Sequence, residues 1–575
     1  MAVSEFDLVI RGGTIVDGSG ADRYCGDIAV SDGRIAALGR FAGKGAEEID
    51  ASDRVVTPGF VDIHTHYDGH ATWTNLLEPS SQHGVTTVVT GNCGVGFAPC
   101  READRDGLVR LMEGVEDIPE PVMTRGLPWN WQSFPDYLDA LESRQFDIDV
   151  ATQIPHAPLR VFVMGERALQ RDPATAEDVA AMQSLVREAI CAGALGFSTS
   201  RSLNHKASDG TITPSYAAAS DELAGIARGL AQDGKGVLQF ISDFDDIDSE
   251  FAIVRRMARE SGRPLSVSLL QASEAPDRWR KILDRVEQAR AAGEPIRTQV
   301  CGRPIGVMMG LDFSANPFRS CASYCEVAHL GAAERRSALL EPARRQSILA
   351  EFTAIRNAGP VVATREFSVM YEFAERPDYE PSPGESIAAC AAATGVDPAE
   401  LLYDVLVDRN GVIYIPAANY SGNSMDAIHT MLSHEASVLG LGDGGAHCNL
   451  LCDASLPTHM LARWAKRGQA GDQGQGMMTL EQVVHALTAR TAQAVGLTDR
   501  GRIAPGLRAD FNLIDIDRIG LHRPEAVADL PGGATRIGQR ATGYDATIVA
   551  GQVTRRGGVH TGALPGRLVR GSQLN

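Results

Sequence analysis

The 575-residue sequence lacks an excess of positive charge: 54 Lys+Arg face 73 Asp+Glu, for a formal net charge of −19. Non-specific binding to nucleic acid or to an anionic membrane surface needs clustered Lys and Arg, so both are excluded as expectations. No apolar run reaches membrane-spanning length, and the opening residues MAVSEFDLVIRGG lack a basic segment followed by a long apolar core. A cytoplasmic protein with no membrane partner is therefore expected. The ten cysteines are scattered rather than spaced as a disulfide framework, and in a reducing compartment they would be thiols. Internal repeats, low-complexity tracts and flexible linkers are also missing. What remains, 44% hydrophobic and 22% charged residues, is the composition of a soluble globular chain, long enough for one large domain and an accessory one.

The first 57 residues read as short alternating strands broken at glycines, with Asp32-Gly33 as a hairpin signal. From about 58 to 495, short β-branched runs alternate with helical patterns, which is the signature of βα units around a parallel sheet. Runs at 85–90, 147–153, 194–199, 236–241, 264–271, 296–301 and 436–441, with the opening strand, make eight. The predicted fold class is therefore α/β, a (β/α)8 TIM barrel, with reactive groups gathered at the carboxyl ends of its strands. Residues 304–433 exceed one βα connection and read as an insertion over the barrel mouth, with helices predicted over 383–394 and 398–407. After a helix over 479–495 the pattern reverts to strands, so residues 1–57 and 496–575 are expected to build one small β-sandwich.

The chemistry concentrates where a predicted strand runs into FVDIHTHYDGH, residues 60–70. His64 and His66 sit two apart, so on an extended chain both imidazoles emerge on one face, as a metal-ligand pair requires. Asp443, in LGLGDGGAH at the last predicted strand end, is placed to ligate a metal and to accept a proton from water; capping the following turn is the alternative. The glycines around it lack dinucleotide-binding spacing. Cys93, in Gly91-Asn92-Cys93-Gly94, is either a thiolate ligand or a buried structural thiol. Arg201 and Arg303 follow strand ends and could clamp a substrate carboxylate, or pair with surface acids. His447 and His156 also fall at strand ends. His434-Glu435 lacks the second histidine of an H-E-x-x-H site, and the Cys321/Cys325 and Cys448/Cys452 pairs have no matching cluster.

PGFVDIHTHYD, GNCG, GALGFSTS at 193–200, the strand-end Asp443-Gly444, and the closing GRIAPGLRADFNLID and GALPGRLVR together resemble the N-acyl-D-amino-acid deacylase (D-aminoacylase) branch of the amidohydrolase superfamily. The resemblance covers nearly the whole chain. It implies the barrel and sandwich already read, hydrolysis of an amide, and a zinc site with His64, His66, Cys93 and Asp443 as ligands, Asp443 being also the general base. That family carries metal-binding histidines on strands five and six. Here VLQFISDF places Phe240 where the first is expected, with Gln239 adjacent, and LSVSLLQA places Leu269 at the second. One Zn2+ per chain is therefore expected, held by His64, His66 and Asp443 with Cys93 near or bound; Gln239 or Gln271 could lend an amide oxygen. The expected partner is a small amide substrate carrying a carboxylate, and a homo-oligomer is allowed. A cyclic-amide hydrolase, a xenobiotic amide or ester hydrolase, and a non-catalytic binding protein on a hydrolase fold are the competing readings.

Overall fold

The computed structural model describes residues 4–358, 366–465 and 478–571. Its first unit is a meander. Phe6–Ile15 pairs antiparallel with Tyr24–Ser31, which turns at Asp32-Gly33, both at positive φ, into Arg34–Gly39. The chain then runs through Gly45–Asp50 to Val55–Pro58, which pairs antiparallel with Phe511–Ile514 at Leu513↔Val56. Tyr544–Val549, Gln552–Arg556 and Val559–His560 complete a nine-stranded sheet to which both ends of the chain contribute. Alternate residues, among them Leu8, Ile10, Ile28, Val30, Phe511, Leu513 and Ile548, turn into one core and make it the β-sandwich expected.

The barrel strands are β1 (Phe60–Asp62), β2 (Val85–Thr90), β3 (Asp149–Thr152, resumed at Ile154–Pro155), β4 (Gly196–Arg201), β5 (Val237–Ser242), β6 (Leu265–Leu269), β7 (Ile296–Val300) and β8 (Ser437–Leu439). All run parallel in that order. The sheet closes beyond the ends of β1 and β8, where His66 N donates to Gly444 O at 2.7 Å and Asp443 N donates to His64 O at 2.9 Å. That closure brings the two sequence motifs together. Strand β2, VTTVVT, is buried at every position because helices cover the outside and side chains fill the inside.

Barrel and sandwich are joined by a buried ion cluster. Asp149, with no exposed surface, accepts Arg500 Nη1 at 2.7 Å, Arg508 Nη2 at 2.9 Å and the Arg567 amide at 2.9 Å. Between β7 and β8 the chain builds a three-stranded antiparallel sheet (Ile305–Met309, Val412–Ala418, Tyr371–Phe373) with helices over a core of its own. Helix boundaries differ from expectation there. The Ser382/Glu385 capping box closes only a short turn, Pro383–Glu385, and extended Ser386 caps a separate helix, Ile387–Thr394. The helix expected over 479–495 breaks at Thr488 (φ −128°, ψ −90°) into Leu480–Leu487 and Ala489–Ala494. Among the described residues no helix is long and apolar enough to cross a membrane.

Candidate metal centre

His64 and His66 lie just past β1, with ring centroids 5.6 Å apart. His64 Nδ1 is 2.7 Å from Gln299 Oε1 on β7. An amide oxygen only accepts, so Nδ1 carries the proton and Nε2 presents its lone pair inward. That Nε2 lies 3.2 Å from Cys93 Sγ and 3.5 Å from Asp443 Oδ1. His66 is placed similarly but without the hydrogen bond: Nδ1 lies 3.1 Å from Glu116 Oε1, outside hydrogen-bond geometry, and Nε2 faces the same Asp443 Oδ1 at 3.7 Å. Glu116 is the last residue of α1 (Arg105–Glu116) and is buried, and its Oε2 has no hydrogen-bond partner among the described residues.

The backbone around these groups is tightly set. Cys93 stands at φ +54° between Gly91 and Gly94, both also at positive φ. A Cβ on Gly91 would come within 2.1 Å of Gln153 O, so only glycine lets β2 turn the thiol inward there. The Cys93 amide donates to Gln239 Oε1 at 3.0 Å, and Gln239 Nε2 donates to Ser268 Oγ at 3.2 Å. Asp443, at φ +46°, follows Gly442, whose added Cβ would strike Asp62 Oδ2 at 2.2 Å.

Electrostatics sort the protons. Burial pushes the Cys93 thiol well up, helped by Glu116, Asp443 and Asp68, so it needs a cation to ionise. Burial lowers His66 to about 4, leaving a neutral imidazole. Burial opposes ionisation of Asp443, but its hydrogen bond to His66 and the neighbouring imidazoles bring it down to about 2. Glu116 is pushed well up by burial and by Asp443 and Asp68. His205, from the loop after β4, is lowered to about 3, mainly by burial; its Nδ1 lies 2.8 Å from Ser200 Oγ.

Ligand atoms of His64, His66 and Cys93 all lie within 4.8 Å of one another. Two imidazole nitrogens and a thiol at such separations, with the Asp443 oxygen beside the imidazoles, can surround an ion bound at about 2.0 to 2.3 Å, and two nitrogens, a sulfur and an oxygen suit zinc. The donor set therefore fits a divalent cation. Asp443 is the most open member, with 16% of its side chain exposed against 1% and 2% for the histidines, so the carboxylate stands on the side from which water arrives.

A parallel barrel with paired imidazoles at the first strand end and a carboxylate at the last defines a barrel hydrolase of the metal-dependent kind. The family described as "Amidohydrolase family" matches residues 47–555. The chain belongs to that family, and its resemblance within it is to the D-aminoacylase branch. An uncharacterized protein of Mycobacterium tuberculosis is 29% identical over 586 aligned residues, covering 96% of this chain and 92% of its own. The N-acyl-D-aspartate deacylase of Alcaligenes xylosoxydans xylosoxydans is 28% identical over 89% of this chain and 86% of its own. Among solved structures, a D-aminoacylase superposes with a TM-score of 0.64 at 23% identity, covering 98% of this chain and all of the other. The N-acyl-D-glutamate deacylase of Bordetella bronchiseptica, complexed with zinc and a phosphonate inhibitor, gives 0.62 at 24%, covering 99% and all. These likenesses bear out the barrel and sandwich.

Of the residues singled out in the sequence, His64, His66, Cys93 and Asp443 converge, Gln239 abuts Cys93, and His447 lies in the turn after Asp443, near enough to influence it. Four others are engaged with partners outside this group. Arg201 makes a double contact with Glu250 at 2.8 Å and donates to Ala218 O. Arg303 is fully buried against Asp453, Cys452 O and Ser455, with Tyr379 stacked at 4.2 Å. His156 is locked between Thr199 and Glu222, and Gln271 ties β6 to the insertion through the Ser421 amide. Strand register also shifts one expectation: Gln239, not Phe240, faces inward on β5, and Ser268 rather than Leu269 meets it from β6. Neither is an imidazole, so the expectation of one ion is unchanged. Glu116, Gln299 and His205 went unseen in the sequence, since none lies in a motif.

Proposed function

We propose that the chain is a zinc-dependent hydrolase of N-acyl amino acids, with the D configuration preferred, and that a single ion is held by His64, His66, Asp443 and Cys93. The convergence of His64 Nε2, His66 Nε2 and Cys93 Sγ, with Asp443 Oδ1 at 3.5 and 3.7 Å from the two imidazoles, carries this reading. The family and the printed activities of its deacylase relatives support it. A bound ion supplies Lewis acidity toward water and the acyl carbonyl. The residues do the rest. Gln299 holds the His64 imidazole with Nε2 inward, and Glu116 stands 3.1 Å from His66 Nδ1. Asp443, ionised and partly open, accepts a proton from the attacking water at its carboxylate and returns it to the leaving amine. Gln239 fixes the Cys93 backbone and so the direction of its sulfur. Turnover of a panel of N-acetyl-D- and L-amino acids against hydantoin and lactam rings tests the reading. Faster cleavage of the rings, or no amide cleavage by zinc-loaded protein, overturns it.

A further inference from the structure

Beyond the ends of β4, β5 and β6 lies a cavity of about 340 Å3. Two of its lining residues tie it to the metal centre. His205 is near enough to ionised Asp443 to feel its charge, and Ser268 binds the Gln239 that holds Cys93. Buried Phe244, Leu269 and Ile282 form an apolar floor. The outer wall carries Asp243, Asp245 and Glu274, the latter two exposed, and among the described lining residues Arg278 is the one permanent cation. Arg278 is already engaged, donating to Asp243 O at 2.5 Å and facing Asp245 Oδ1 at 3.2 Å. The Asp243 carboxylate accepts Ser202 Oγ at 2.6 Å and the Leu203 amide at 2.7 Å, which keeps it in place as a fixed negative charge.

We propose that this cavity receives the side chain of the amino-acid half of the substrate and selects a long basic side chain over an acidic one. The inference rests on the proposed N-acyl-amino-acid hydrolysis and names its substrate class. An apolar floor under an acidic rim matches a side chain with a methylene stem and a cationic end, since the stem is desolvated while the charge stays near water. Three acids against one paired arginine repel a second carboxylate. Each exposed rim charge, a few ångströms from the side-chain terminus in a solvent-rich environment, changes discrimination by about three- to tenfold.

Binding and turnover separate the two claims. Calorimetric titration of Asp443→Asn protein with Nα-acetyl-lysine, Nα-acetyl-leucine and Nα-acetyl-glutamate, in both configurations, reads the cavity without chemistry. Zinc-loaded wild type then reports kcat/KM for the same compounds. The expected order in both is lysine, leucine, glutamate, with lysine at least about tenfold ahead of glutamate. Glu274→Gln and Asp245→Asn each lower the lysine-to-glutamate ratio about three- to tenfold, whereas Glu287→Gln, in the His434 ion pair and outside the cavity lining, does not. Turnover with glutamate equal to or ahead of lysine overturns the cavity proposal alone. Binding in the expected order with no turnover overturns the hydrolase reading and keeps the cavity. No binding of any of the three overturns both.

Discussion

Replacing Glu116 by Gln should separate metal affinity from fold stability. Glu116 Oε1 stands 3.1 Å from His66 Nδ1, both side chains are 2% exposed, and neither Oε2 nor Nδ1 has a hydrogen-bond partner among the described residues. With a cation held at His66 Nε2, a carboxylate at Nδ1 would polarise the imidazole and fix its tautomer, and losing such a partner costs about 10- to 100-fold in metal affinity. At 1.36 kcal/mol per tenfold, that is about 1.4 to 2.7 kcal/mol. The same carboxylate is costly to the metal-free chain, because burial and the charges of Asp443 and Asp68 push its pKa well up. A neutral amide of the same shape removes that cost. Zinc competition with a chromophoric chelator, beside thermal unfolding of the metal-free protein, should show affinity falling and melting temperature holding or rising. Unchanged affinity, or a melting temperature that falls in step with it, would refute a role for Glu116 in orienting His66.

Other outcomes follow from the same geometry. Asp443→Asn should leave the circular dichroism spectrum unchanged and lower kcat about 10²- to 10⁴-fold, the usual worth of a general base; near-normal turnover removes Asp443 from proton transfer. Asp149→Asn leaves Arg500 with Asp499 and Arg508 with Asp510 but removes the carboxylate they share, and should destabilise by about 1.5 to 3 kcal/mol in urea unfolding, the worth of hydrogen bonds to a charged group, so an unshifted midpoint would contradict the junction described. Glu222 is lowered from 4.5: burial opposes its ionisation, but hydrogen bonds from His156 and Arg160 outweigh it. A depressed carboxyl stabilises above its unfolded pKa and loses that contribution as pH falls through the folded value. The stability deficit of Glu222→Gln should therefore be full at pH 7 and shrink below about 4.5, and a deficit that is constant with pH tells against an ionised Glu222.

The part of the site built from strand ends was legible because strand parity and glycine turns are local. His64 and His66 share a face by spacing alone, and the glycines beside Cys93 and Asp443 mark turns that push a side chain inward. What was not legible depends on partners far along the chain. Arg201 and Arg303 look like free guanidiniums until Glu250 and Asp453 come in from 49 and 150 residues away. Glu116 ends an ordinary amphipathic helix, and nothing in RLMEGVE says that its carboxylate reaches β1. The one-residue error on β5 has the same origin. In a strand buried on both faces, hydropathy does not say which residue points inward; the pairing of Gln239 with Cys93 and Ser268 does. The pairing of the two chain ends was read correctly because each end kept the short, glycine-turned strands of a meander.

Metal content measured together with amide turnover tests the central claim most directly. Protein purified without chelator, analysed for zinc by elemental mass spectrometry and assayed on N-acetyl-D-amino acids, is expected to carry one equivalent. Activity should disappear with the ion and return when one equivalent is restored, and His64→Ala should bind none. Two equivalents at full activity would contradict the single-ion site, and turnover by the metal-free protein would contradict the metal-dependent mechanism itself.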